Sequence, residues 1–256
     1  MIINIRSFVR EYGALPFMGL TLALSFAAYL LPLPIDDKPL LFPVVIVFIP
    51  ALVAAGLAAF EGDGAWAKLW RTLRPGRWRW LAIAALIGVA MQAAITLAAL
   101  ALGTITTVTI DTSPLILALA PATLIFALGE EIGWRGYAVR KLLDGGHSPL
   151  FATLLTGVPW ALVHLSLFLP NMMFVGRPMV AQVASIVAFA FLHTWAFARS
   201  GKSVLAPTLL HGLFNACGAL FNSGLEPIQA THLGAGVLLV AGAIVFVVDW
   251  KWWLAN

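Results

Sequence analysis

The chain has 256 residues, 61% of them hydrophobic and only 10% charged, with a mean hydropathy of +0.96, which excludes a soluble globular protein and describes a polytopic membrane protein. Its net charge of +4 does not indicate nucleic-acid binding, because the Lys and Arg residues lie in short loops between apolar spans, where insertion topology accounts for them. A single cysteine, Cys217, excludes an intrachain disulfide and any zinc site built on several thiolates.

Residues 13–33 form a first apolar span, preceded by Arg6 and Arg10 and too long for the apolar part of a signal peptide. Lys38 and Pro39 open a second span to about residue 60, broken by the glycines at 62 and 64. In 64–74, Trp66, Leu69, Trp70 and Leu73 fall at i, i+3, i+4 and i+7, opposite Lys68, Arg71 and Arg74. This pattern fits a helix lying in the membrane interface, or equally a short helix packed on protein. A third span, about 80–102, is entered through the interfacial aromatics Trp78 and Trp80. After a polar loop at 103–113 the fourth helix starts near Pro114 and runs to about 143, where Gly145 and Gly146 end it. Four more spans follow at about 149–169, 178–199, 203–221 and 232–253. The expected fold is all-α, one domain over 1–256, with eight transmembrane helices around an intramembrane polar cavity.

Eight spans place both termini on one side. With that side taken as cytoplasmic, inner segments carry thirteen of the fifteen Lys and Arg, and the outer loops carry only Lys38 and Arg177. This bias predicts cytoplasmic termini and an integral protein of the plasma membrane.

Within the fourth helix, Glu130, Glu131 and Arg135 interrupt an otherwise apolar run. Each such group costs roughly 2.5–3.5 kcal/mol to insert, so it usually faces the bundle interior and marks function. Glu131 and Arg135 are four apart and share a helix face, whereas Glu130 lies about 140° round the axis from Arg135. The wheel therefore pairs Arg135 with Glu131 and leaves Glu130 as the candidate base; a purely structural ion-pair cluster is the competing reading.

Other ionisable groups in the spans are His164, His193 and His211, the last with Asn215 one turn on. Counted from the hairpin at Gly146, Glu130 and His164 lie at roughly 24 and 27 Å, and His211 lies roughly 15 Å from Gly201. Glu130, His164 and His211 are thus expected to face one cytoplasm-accessible cavity, with Trp160 as a wall residue on the His164 face. His193, flanked at helical spacing by Phe189 and Phe197, reads as a packing residue. The glycines at 129, 133, 136, 212 and 218 leave room for close helix approach.

Glu130-Glu131-x-x-x-Arg135, Trp160-x-x-x-His164 and His211-x-x-x-Asn215, in this order on successive helices, resemble the type II CAAX prenyl endopeptidase (CPBP/Abi) family of intramembrane proteases. The resemblance covers about residues 114–221, with Trp160 where the family usually has Phe. It implies that Glu130 and His164 activate a water, that His211 and Asn215 stabilise the oxyanion, and that Glu131, Arg135 and Trp160 support them. It also implies a membrane-associated peptide or protein substrate, prenylated in some members, and no cofactor. Glu130, His164 and His211 remain chemically competent as a zinc set, although no His-Glu-x-x-His turn is present. The functions weighed against proteolysis are an ion- or proton-coupled transporter using the Glu/His groups as a relay and a non-catalytic immunity or scaffold protein.

Overall fold

A computed structural model describes residues 5–32, 38–62, 64–221 and 224–255 of the chain. The side chain of Lys38 and the terminal Asn256 lie outside the described residues, as does Asp63 in the second interhelical break. All regular structure among the described residues is helical. α1 (Ile5–Tyr12) meets α2 (Ala14–Ala27, with a 3₁₀ turn at Ala28–Leu30) at a 95° bend around Gly13. α3 (Lys38–Glu61), the short α4 (Ala65–Arg71) and α5 (Trp78–Ala101) follow.

α6 (Pro114–Glu131) passes without a break through a π-helical stretch, Ile132–Val139, into α7 (Arg140–Asp144). α8 (Pro149–Val163) ends in a 3₁₀ stretch, His164–Phe168. α9 (Met179–Arg199), α10 (Leu205–Leu220), α11 (Pro227–Val248) and α12 (Trp250–Leu254) complete the bundle.

The starts have local causes. Pro114, Pro149 and Pro227 occupy first-turn positions, where a missing N–H costs nothing. At α8 the Ser148 hydroxyl also accepts from the Phe151 N–H at 3.2 Å.

Among the described residues, six helical segments are long and apolar enough to cross a membrane, or seven if the bent α1–α2 pair is one span, against the eight expected. α10 is apolar but has only sixteen residues, about 24 Å of helix against a hydrocarbon thickness of about 30 Å. It is short because the chain before it is tied into the bundle: the Val204 N–H donates to Thr72 O at 2.9 Å, and the Ser203 hydroxyl donates to Arg74 O at 2.8 Å.

The last helix also differs from the expected 232–253. It begins at Pro227 and stops at Val248, because Asp249 leaves helical geometry to pair with Arg199 at 2.5 Å and accept from the Trp195 indole at 2.7 Å. In α4, Leu69 is buried while Trp66 and Trp70 stay exposed, edge to face at 5.3 Å, so the helix both packs on protein and presents an aromatic pair outward.

The bundle has two chemically distinct ends. At one, Lys141 pairs with Glu61 at 2.7 Å, Lys202 pairs with Asp144, and the Arg77 N–H donates to Ser200 O at 2.8 Å. These contacts gather the basic segments around 61–77, 140–148 and 199–204. At the other end, the Asp111 N–H donates to Leu220 O at 2.8 Å, and the Tyr29 hydroxyl donates to Pro170 O at 3.2 Å.

α10 packs against α5 and α6, α11 against α9, and α3 against α6. Large apolar side chains such as Leu52, Leu86 and Val247 cover the outer faces, as expected where lipid is the solvent. Glycines allow the inner contacts: a Cβ on Gly133 would meet the ring and carbonyl of Pro50, and one on Gly212 would meet Leu124. Gly133→Val should therefore lower folded yield and thermal midpoint by the equivalent of about 1–3 kcal/mol of overpacking. An unchanged melting curve in detergent would show that α3 and the π-helical stretch are less closely packed than described.

Candidate active site

The acidic motif sits where α6 turns into the π-helical stretch, and all three of its charged residues are buried: Glu130 is 8% exposed, Glu131 0% and Arg135 2%. Local π-helical windings recur at functional sites. The Arg135 guanidinium donates to Glu131 Oε1 at 3.1 Å, so the intrahelical pair is Glu131–Arg135. The same guanidinium lies over the Trp160 ring, 4.2 Å from its centroid, which stabilises a cation shielded from water.

Glu130 turns away from this pair toward α8, where Oε2 accepts the Trp160 indole N–H at 2.6 Å. Trp160 thus touches both motif carboxylates' surroundings: its polar edge holds Glu130 and its face holds Arg135. A phenylalanine in this place would offer the second contact but not the first.

One turn on, His164 begins the 3₁₀ stretch, and its Nδ1 faces the Trp160 carbonyl at 2.8 Å. A carbonyl only accepts, so Nδ1 carries the proton and Nε2 is left as the ring's free basic nitrogen. From α10, His211 directs Nδ1 to Glu131 Oε1 at 3.2 Å. Its ring and that of His164 both meet Trp160 edge to face at 5.7 Å. The differing heights estimated from the turns are reconciled by the buried start of α10.

Glu130, Trp160, His164, His211 and Asn215 all line one cavity of about 630 Å³, with Pro43 and Val47 of α3, Gln92 of α5, and Phe174 and Arg177 of the loop before α9. Glu130 and His211 lie near the middle of their helices, and His164, Phe174, Arg177 and Asn215 lie toward the end remote from the basic segments.

His193 is also corrected. It is fully buried, but it does not merely pack. Its Nδ1 faces the Phe189 carbonyl at 2.7 Å, and its Nε2 lies 3.6 Å from Glu131 Oε1. Its ring meets Trp160 and His211 at 5.2 Å. The signal available in the sequence was the cost of any ionisable group in a membrane helix, which the flanking phenylalanines outweighed.

Among the described residues, the set whose ligand atoms lie within 4.8 Å of one another is Glu131, His193 and His211, not Glu130, His164 and His211. In that set Glu131 Oε1 already holds the Arg135 cation, whose charge opposes a second cation on the same oxygen.

The two glutamates should respond differently to loss of charge. Glu131→Gln leaves Arg135 buried without its counter-charge, a loss that typically costs about 3–5 kcal/mol, so its thermal midpoint and yield should fall. Glu130→Gln keeps an oxygen acceptor for the Trp160 indole and should melt close to the parent. Equal melting of the two variants in detergent would contradict this division.

Residues 112–217 match the model of the family described as type II CAAX prenyl endopeptidase Rce1-like. A CAAX prenyl protease 2 of Methanococcus maripaludis is 29% identical over 136 residues, covering 50% of this chain and 48% of the relative. The chain thus spans about half the length of the curated relative it matches. The segment that carries the acidic, Trp-x-x-x-His and His-x-x-x-Asn motifs, from α6 to α10, is thus the part of the chain that is similar to the type II CAAX prenyl endopeptidase family.

Proposed function

We propose that this protein is an intramembrane endopeptidase that hydrolyses a peptide bond of a membrane-associated substrate with a water activated by Glu130 and His164. The observation that carries the reading is the convergence of Glu130, His164, His211 and Asn215, from three helices, on one cavity large enough for a short peptide segment.

Water held between Glu130 and the free Nε2 of His164 loses a proton to Glu130 as its oxygen bonds to the scissile carbonyl carbon. The indole N–H on Oε2 fixes the carboxylate and leaves Oε1 to take that proton. The carbonyl oxygen becomes an oxyanion, which accepts hydrogen bonds from the Asn215 amide and from the His211 ring, which Glu131 orients. Collapse of the tetrahedral species breaks the C–N bond, and Glu130 returns the proton to the leaving amine. Glu131, Arg135 and Trp160 hold these groups in place, and His193 braces Glu131 from α9.

No metal is required in this scheme. Purified protein should cleave members of a panel of prenylated and unmodified peptides after prolonged chelation. Glu130→Gln should lower the rate by about 10²–10⁴-fold, the usual scale for a general base. Stoichiometric zinc, with activity lost on its removal and restored on its return, would overturn the metal-free assignment. A fully active Glu130→Gln would overturn the choice of base. The panel also tests whether the substrate is prenylated, as the printed name of the archaeal relative suggests.

The charge bias further supports a plasma-membrane protein with the basic end and both termini in the cytoplasm. In a Cys217→Ala background, Val175→Cys near the cavity end should react with a membrane-impermeant maleimide on intact cells. His147→Cys, at the basic end, should react only after lysis. The reverse pattern would invert the topology.

A further inference from the structure

A peptide held in extended form within a membrane protein brings one unpaired N–H and one unpaired C=O with nearly every residue, and each needs a partner. A sheet edge can supply those partners by taking up the peptide as an added strand. Here all regular structure among the described residues is helical, and helix backbones use their hydrogen bonds on themselves. The partners must therefore be side chains.

The chain has three glutamines, and two of them, Gln92 of α5 and Gln182 of α9, line both the active-site cavity and a second cavity of about 320 Å³ beside it. The two spaces also share Ser185, Phe214, Gly218 and Leu238 as walls, and the second continues between α10 and α11. Both glutamines are half-buried, and among the described residues their carboxamides form no hydrogen bond. Neighbouring hydroxyls go to backbone carbonyls instead: Thr96 donates to Gln92 O at 3.1 Å, Ser185 to Gln182 O at 2.7 Å, and Thr231 to Pro227 O at 2.8 Å.

Gly218 fixes where one carboxamide lies. A Cβ there would come within 3.3 Å of Gln92 Oε1 and 3.8 Å of its Nε2, so the missing side chain on α10 makes room for the amide. Gly218 is three residues past Asn215 on one helix face, a rise of about 4.5 Å. One extended residue spans about 3.3 Å, so the Gln92 amide stands beside the first or second peptide group from the reacting carbonyl. Gln182 lies further on, seven residues and about 10.5 Å of helix before Phe189, whose ring stacks on Trp160 at 6.3 Å.

We propose that the second cavity is a substrate subsite in which Gln92 and Gln182 hold an extended peptide by its main chain, in place of a sheet edge. A carboxamide carries an acceptor and donors in one plane, as a peptide group does, so each glutamine can donate to a carbonyl and accept from an N–H. Both are positioning residues, and the contact is indifferent to the substrate's side chains. The proposal rests on the endopeptidase reading and deepens it by assigning how the cavity grips its substrate.

Binding is measured in detergent with Glu130→Gln protein, so that no peptide is consumed. The probe is a fluorescent apolar octapeptide with a C-terminal amide, compared with analogues in which one peptide N–H at a time is replaced by an ester oxygen. At two ester positions binding should weaken about tenfold, the scale of a hydrogen bond lost with its partner left unpaired. Adding Gln92→Leu should reduce one of those penalties to less than twofold and leave the other, and Gln182→Leu should do the reverse. Neither substitution should lower the melting curve, since each replaces an unpaired amide by an apolar group of similar size. Where leucine is not tolerated, methionine, which also lacks the amide, takes its place.

Ester analogues that all bind like the parent peptide overturn the proposal on protein retaining both glutamines, without any further variant. Penalties that persist unchanged in both leucine variants overturn it as well. On protein with Glu130 restored, Gln92→Leu should raise KM about tenfold and leave kcat within about twofold, as expected for a contact made before and during the reaction. Ester penalties that follow the glutamines, with no cleavage of any peptide, sink the protease reading and leave a peptide-binding groove. Cleavage without such penalties sinks the subsite alone.

Discussion

The site depends on one oxygen. Glu131 Oε1 receives the Arg135 guanidinium from its own helix and the His211 imidazole from α10, and it faces His193 of α9 at 3.6 Å. All of these groups are nearly or fully buried, so none of them can exchange its partner for water. The carboxylate thereby ties three helices together at one depth, and a shift of any of them leaves a buried charge or ring nitrogen unsatisfied. Specificity of arrangement, rather than net stability, is what such a buried ionic cluster contributes here, since its Coulombic gain must first offset a large desolvation cost.

Trp160 extends that arrangement to the cavity. Its face covers Arg135, its indole N–H holds Glu130, its carbonyl fixes the tautomer of His164, and its edges meet His164 and His211. One residue thus sets the position of the candidate base, of a candidate water-activating imidazole and of the counter-ion to the supporting carboxylate. The division between the two adjacent glutamates follows: Glu131 Oε1 is engaged by Arg135 and His211, whereas Glu130 accepts the Trp160 indole N–H and lines the cavity.

The ends of the bundle divide the remaining chemistry. Cations and their carboxylate partners cluster at the end that holds α4, α7 and the turn before α10, and the cavity begins near mid-bundle and extends away from them.

The sequence by itself determined the all-helical membrane class, the starts of α6 and α8 at their prolines, and the Glu131–Arg135 pairing. These follow from composition, local capping and the 3.6-residue period, none of which needs a partner helix. It also determined which residues were chemically eligible, because ionisable groups in apolar helices are few. Only the tertiary structure decided the rest. The short α10, the break at Asp249 and the place of His193 beside Glu131 depend on hydrogen bonds and ion pairs between residues far apart in the chain. The level of His211 was equally hidden, since helix heights counted from turns assume that every helix starts at the membrane surface. α10 does not: the chain just before it is held by α4 and the α4–α5 link, and that offset brings His211 level with Trp160.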